Sequence, residues 1–257
     1  MLTIDLTGKT ALVIGGSRGI GAAITQCLAR AGANVVFTHT GDPDHVERVA
    51  ALLTAVRRAG GNVEAVVMDA CKSKDTAALV DRIVAAHGRV DILVHNAGRN
   101  TERAPATLKD DEWQAALDLN LTSAFYAVRA VLPAMTAQKH GRIVLIGSSA
   151  VYSGGGGAVD YAAAKAGLTG LMTYLCKTHA RKGILTNIVH PCVIETDLLR
   201  DRYPDAAAKQ KLVAGIPAGR LGRPEDIAGL VTYLVSPWGD YICGQSILVD
   251  GGRTLFA

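Results

Sequence analysis

The sequence predicts a doubly wound parallel α/β sheet of about seven strands with helices on both faces. Three observations lead there. Short apolar runs alternate along the chain with longer segments of helical period, which is the pattern of βαβ units. The runs are rich in Val, Ile and Leu throughout, as strands covered on both faces should be. Finally, 257 residues with 49% apolar and 19% charged side chains suffice for one large core, and no linker, repeat or low-complexity tract divides the chain. One domain over residues 1–257 is therefore expected.

Thr10–Gly15, around Ala11-Leu12-Val13-Ile14, is the first expected strand, and Gly19–Ala31 the helix after it. Asn34–His39 and Asn62–Asp69 follow as strands, separated by a helix over Asp44–Ala59. A helix over Lys74–His87 leads to Asp91–Asn96, built on Ile92-Leu93-Val94. One long helix is predicted over Lys109–Lys139, then the strand Arg142–Ser148, then a flexible loop at Gly154–Gly157. A second long helix spans Ala158–Lys182 before the strand Ile184–His190. Pro224–Ser236 opens with Pro, Glu and Asp, a good first helical turn, and Ser246–Asp250 closes the sheet. Asp197–Arg223 is polar, basic and helical in patches, and is the one stretch long enough to act as a lid over about 197–223.

Composition narrows the function. Lys and Arg exceed Asp and Glu by only 27 to 23, with no basic run interleaved with aromatics, so nucleic acid is not an expected partner. The slight positive balance favours anionic ligands. Five cysteines lie far apart in sequence, with no CxxC pair and an odd total; this fits free thiols in a reducing compartment, and no metal site is expected. Residues 1–10 show no secretory signal, and no apolar stretch reaches the roughly 18 residues of a membrane span. A cytoplasmic location is expected.

The sheet's ligand site should lie beyond the carboxyl ends of its strands. There, Gly15-Gly16-Ser17-Arg18-Gly19-Ile20-Gly21 joins the first strand to the first helix. Backbone N–H groups and a helix N-terminus side by side bind pyrophosphate, since orphan amides and helix dipole both favour negative charge. The spacing differs from the commoner G-x-G-x-x-G, and a tight structural turn would use the same glycines. The second strand ends at His39, followed by Thr40, with no carboxylate before Asp42 to accept from a ribose 2′-hydroxyl. Arg18 can instead pair with a 2′-phosphate, which favours NADP(H) over NAD(H).

Tyr161 and Lys165 stand four apart in Tyr-Ala-Ala-Ala-Lys, on one helix face. A free phenol, with a pKa of about 10, is a poor base; a nearby ammonium and the positive nicotinamide of an oxidised cofactor are expected to lower it towards the working pH. An amphipathic helix with a surface Tyr/Lys pair would look the same. Ser148, however, lies thirteen residues before Tyr161 at the end of the run Ile143–Ile146, where a hydroxyl can donate to a substrate carbonyl oxygen.

With these motifs the chain resembles the short-chain dehydrogenase/reductase family over nearly its whole length. The family's turn is usually Thr-Gly-x-x-x-Gly-Ile-Gly, and Ile14 here replaces the Thr; His95-Asn96-Ala97-Gly98 resembles its Asn-Asn-Ala-Gly, with His95 for the first Asn. The resemblance implies an oxidoreductase of Rossmann type in which Asn120, Ser148 (rather than Ser149), Tyr161 and Lys165 are catalytic. It further implies that Asp69 and Ala70 contact the adenine, that Asn96, Ala97 and Gly98 line the cofactor, and that Ile194 and Thr196 hold its carboxamide or phosphate. Cys192 replaces a usual Gly after Pro191, so a left-handed backbone there would cost about 1–2 kcal/mol unless the loop has shifted. Tyr241–Gln245 and Val249–Gly252 resemble the family's closing signature, with Cys243 where Thr is common.

Gly215–Asp226 resembles the same stretch of bacterial 3-oxoacyl reductases, a similarity shared by many sugar, polyol and secondary-alcohol dehydrogenases. A small-molecule or acyl-carrier-linked carbonyl substrate is thus expected, with the basic Arg200, Arg202, Lys209 and Lys211 in the lid and Lys139 and Lys182 at helix ends. Sugar, polyol or alcohol oxidation is the alternative, and a non-catalytic NADP-sensing module a distant one. By analogy with the family a homotetramer is expected, with Phe125, Val128, Leu168 and Leu171 equally explained by packing on the sheet.

Overall fold

The computed structural model describes residues 3–154, 156–196, 199 and 205–256. Seven parallel strands form one sheet: β1 Thr10–Ile14, β2 Asn34–His39, β3 Asn62–Val67, β4 Ile92–His95, β5 Gly141–Ile146, β6 Ile184–Pro191 and β7 Ser246–Val249. Their spatial order is β3-β2-β1-β4-β5-β6-β7. The direction of winding reverses between β1 and β4, so the crevice opens beyond Ile14 and His95, which are paired in register.

Successive strand residues feed opposite faces, because a strand's side chains alternate. Ala11 and Val13 join the cluster under α1 (Gly19–Arg30), α2 (Val46–Arg58) and α9 (Pro224–Val235). Leu12 and Ile14 join the cluster under α3 (Ser73–His87), α5 (Ser123–Ala137) and α7 (Val159–His179). Covering both faces is what makes the strands read as unbroken apolar runs.

The expected long helix over 109–139 is divided. α4 (Asp110–Leu117) passes through a π-helical turn, Asp118–Thr122, into α5. Lys139 lies beyond that end with φ +53°, the only non-glycine at positive φ among the described residues. The second long helix closes at His179, its last turn tightening to 3₁₀ over Ala180–Lys182. Short helices also appear at Ala150–Ser153 (α6), Ala206–Ala214 (α8) and Arg253–Phe256 (α10).

Of the expected loop at 154–157, Gly155 lies outside the described residues, and Gly156 and Gly157 are held: Asn100 Nδ2 donates to Gly156 O at 3.1 Å and Arg103 N–H to Gly157 O at 3.0 Å. Of the expected lid, residues 197–198 and 200–204, including Arg200 and Arg202, lie outside the described residues. Phe125 is 44% exposed rather than packed on the sheet, whereas Val128 and Leu168 are buried. All five cysteines are free thiols. The fold nevertheless brings two of them together, Cys243 Sγ standing 3.1 Å from Cys176 Sγ, and burial with this contact pushes the Cys176 thiol up to about 12. Among the described residues no helix is long and apolar enough to cross a membrane.

Candidate active site

The turn after β1 is built on close backbone approach. Gly15 has φ +76°, and a Cβ there would stand 3.0 Å from the Ala97 backbone. Asn96, directly after β4, donates from Nδ2 to Gly15 O at 2.7 Å, clamping the two strand ends across the crevice. Ile14, where a Thr was expected, is buried in the core; the tie falls to Thr38, whose Oγ1 accepts from Gly15 N–H at 3.0 Å. Thr25 Oγ1 donates to Gly16 O at 3.2 Å from the other side. α1 begins at Gly19 with φ +51°, and Thr196 leans over it, so that a Cβ at Gly19 would meet Thr196 Cγ2 at 3.1 Å. The first amides of α1, at Gly19, Ile20 and Gly21, have no partner within the helix. Bare glycine backbone beside a helix N-terminus is a cradle that fits a dinucleotide's pyrophosphate.

Beside that cradle and the end of β2 stand a guanidinium and two imidazoles. Arg18 caps α1 and its Nη1 donates to His45 Nε2 at 3.2 Å, while His45 Nδ1 lies 3.3 Å from Asp42 Oδ2. Asp42 Oδ1 accepts from Asp44 N–H, so the first carboxylate after β2 is engaged on both oxygens. His39 ends β2, its Nδ1 accepting from Gly41 N–H at 3.2 Å; burial pushes its pKa down. Thr40 beside it is exposed. Across the edge, Asp69 stands exposed two residues past β3, with Oδ1 accepting from Cys71 N–H at 2.9 Å, and Ala70 is half-buried beside it.

The four expected catalytic residues meet at the ends of β4 and β5. Lys165, only 2% exposed, donates from Nζ to Ile146 O at 2.8 Å and lies 5.8 Å from the Tyr161 ring centre. Burial pushes its pKa down to about 8. Asn120 is fully buried in the π turn, where one extra residue per turn aims its amide inward. Its Nδ2 donates to Arg99 O and Ala116 O, and its Oδ1 accepts from Arg99 N–H. Gly98 fits between Asn120 and Lys165: a Cβ there would lie 2.7 Å from Asn120 Oδ1 and 3.0 Å from Lys165 Nζ.

Ser148 is half-buried and Ser149 buried, so Ser148 is the more open of the two hydroxyls. Ala150 N–H donates to Ser148 Oγ at 3.2 Å, which leaves the Ser148 proton to be donated elsewhere. The Tyr161 phenol feels two opposed effects. Burial raises the pKa of its phenol, and a hydrogen bond to Ser148 opposes that rise. At 5.8 Å from the ring centre, and committed to Ile146 O, the ammonium does not offset desolvation in the protein without cofactor.

At Cys192 the loop has shifted from a left-handed backbone. Its φ is not positive, so the anticipated left-handed strain is absent; Cys192 N–H donates to Val249 O at 3.3 Å instead. Ile194 is buried and bridges to Gly222, at the base of the expected lid.

Sequence reasoning missed Thr38, Thr25, His45 and His190, and gave His95 no role. His95 Nε2 donates to Ser123 Oγ at 2.9 Å, since the Ser123 hydroxyl is spent on Leu119 O. Burial, then Lys165, push its pKa down to about 3, so the ring is neutral. A histidine inside an apolar strand is the only local signal of such a role.

The whole chain has known counterparts. A family model described as Enoyl-(Acyl carrier protein) reductase matches residues 14–254. The 3-oxoacyl-[acyl-carrier-protein] reductase of Escherichia coli is 39% identical over 249 residues, which is 97% of this chain and 98% of that one. Its Pseudomonas aeruginosa counterpart has the same identity and coverage. Among solved structures, a gluconate 5-dehydrogenase from Burkholderia cenocepacia in complex with NADP and tartrate superposes with a TM-score of 0.89 at 33% identity, over 98% of this chain and 97% of that one. A Serratia marcescens protein of the same fold reaches 0.88 at 37%, over 97% and 99%.

Proposed function

Because the chain belongs to the short-chain dehydrogenase/reductase family and is a nicotinamide-dependent oxidoreductase, we propose that it reduces a 3-oxoacyl carbonyl at the expense of NADPH. The carrying observation is the convergence of Ser148, Tyr161, Lys165 and Asn120 at the ends of β4 and β5, with Lys165 Nζ on Ile146 O and 5.8 Å from the Tyr161 ring centre. Likeness to two 3-oxoacyl-carrier-protein reductases supports the substrate class.

Gly15 to Gly21 would hold the pyrophosphate, Arg18 the 2′-phosphate, and Asp69 and Ala70 would border the adenine. Asn96, Ala97, Gly98, Ile194 and Thr196 would line the path to the nicotinamide. The bound coenzyme supplies the hydride; the chain handles the proton. Ser148 donates to the carbonyl oxygen and fixes its place, and Tyr161, a neutral acid at neutral pH in its buried setting, gives that oxygen its proton. Lys165, softened to a pKa of about 8, is poised to restore the proton, with Asn120 fixing the backbone at Arg99 beside it. Arg18, together with a β2 end whose nearest carboxylate is already engaged, supports NADP(H) over NAD(H).

Further parts of the same reading are a cytoplasmic homotetramer and a lid at about 197–223 on one domain. The test is consumption of NADPH with acetoacetyl-coenzyme A, with NADH in parallel. Rapid, NADPH-specific turnover is expected. No turnover with NADPH still bound would favour the second reading, oxidation of a sugar, polyol or secondary alcohol, which likeness to the gluconate 5-dehydrogenase supports.

A further inference from the structure

His190 lies on β6, one strand away from the residues expected to act, and is fully buried. Beyond the end of β5 the ladder to β6 continues through two amides, Gly147 N–H to Val189 O at 2.8 Å and Ser149 N–H to Pro191 O at 2.9 Å. The residue between them, Ser148, is held by the His190 ring instead. Ser148 N–H lies 3.1 Å from His190 Nδ1, and the same nitrogen lies 3.0 Å from Ser148 O. Whichever tautomer the ring adopts, Nδ1 therefore meets a complementary group on Ser148.

The far side of the ring is fixed as well. His190 Nε2 lies 2.6 Å from Ser246 Oγ on β7, and that hydroxyl lies 2.9 Å from the Tyr152 hydroxyl on α6. The Tyr152 ring meets the imidazole edge-on, with centres 5.3 Å apart at 75°. Gly147 completes the seat, because a Cβ at that position would overlap His190 Nδ1. The ring thus fills a slot that exists only because residue 147 has no side chain.

We propose that His190 is a positioning residue for Ser148: its imidazole, anchored to β7 through Ser246, fixes the Ser148 backbone and so the place of the hydroxyl that meets the substrate carbonyl. The inference rests on the carbonyl-reductase reading of Ser148. Two isosteres separate its arms, since an Asn amide reaches the place of Nδ1 and a Gln amide that of Nε2. With acetoacetyl-coenzyme A and NADPH, His190→Gln lowers kcat about tenfold or more and leaves the NADPH KM within about twofold. His190→Asn retains most of kcat. In a Ser148→Ala background, His190→Gln lowers kcat no further.

Amide hydrogen exchange at Ser148, read in the protein without substrate, is faster in His190→Gln than in wild type or His190→Asn. Should the Gln variant not fold, Ser246→Ala at the exposed end of the chain of contacts gives the same sign, about two- to fivefold lower kcat. Equal kcat and equal exchange in the Asn and Gln variants, or losses that persist undiminished in the Ser148→Ala background, would overturn the inference and leave the reductase reading standing. A wild-type protein that reduces no carbonyl but shows the exchange difference would instead sink the reductase reading while keeping His190 as the support of Ser148.

Discussion

Lys165 keeps 2% of its surface exposed, and loss of hydration brings its ammonium down to about 8. The unfolded chain holds the same group at about 10.4. Between these values the unfolded state binds the extra proton, so raising the pH through this window stabilises the folded protein. The stability of wild type relative to Lys165→Met should therefore rise by about 2 kcal/mol between pH 7.5 and 9.5, measured by urea denaturation at both. A flat or falling difference would mean that the amine is hydrated. Tyr161→Phe removes only the phenolic hydroxyl; turnover should fall by about 10²–10⁴-fold or more with coenzyme affinity within a few-fold, read by steady-state kinetics and fluorescence titration. Near-normal activity in that variant would end the proposed mechanism. The sequence named all four of these residues, but the burial that raises the phenol's pKa in the protein alone was not legible in it. Desolvation is a property of the packed site, and spacing along a helix does not contain it.

At the scale of elements, the turn from β1 to α1 was legible because glycines were the only residues that fit it. Its supports were not, because Thr38 and Thr25 reach it from β2 and from within α1. Arg18→Ala tests what that turn carries. It should raise the NADPH KM about tenfold or more, the loss of a charge-assisted contact, while NADH kinetics stay within about twofold. Equal loss for both coenzymes would assign Arg18 to the turn's structure through His45 rather than to a 2′-phosphate. The division of the helix over 109–139 was hidden for a related reason. A π turn inserts a residue without breaking the run of helical backbone, so no helix-stopping residue marks it in the sequence. What pays for the distortion is the placement of Asn120, whose amide is spent on Arg99 and Ala116 inside the turn.

For the whole molecule, two exposed aromatics stand on the long outer helices: Phe125 on α5, with Arg129 stacked 5.0 Å from its ring centre, and Tyr174 at 65% exposure on α7. Apolar area left on two neighbouring long helices fits the proposed tetramer. Light scattering at micromolar concentration should give about four times the 26.8 kDa chain mass, and Phe125→Asp should lower it. A monomer mass for the wild type would remove the proposal. By itself the sequence determined about seven strands in a parallel, doubly wound sheet and the glycine turn, because unbroken apolar runs and a side-chain-free corner are demands made locally. It also determined which four residues to look for. The tertiary structure alone decided that Ser148 rests on His190, that the first carboxylate after β2 is spent on its own loop, that Cys176 and Cys243 face each other, and that the loop at Cys192 escapes left-handed strain. Each of these depends on atoms from segments distant in sequence or on how the chain bends to meet them, and burial, distance and hydrogen-bond partnership come into being only when those segments pack.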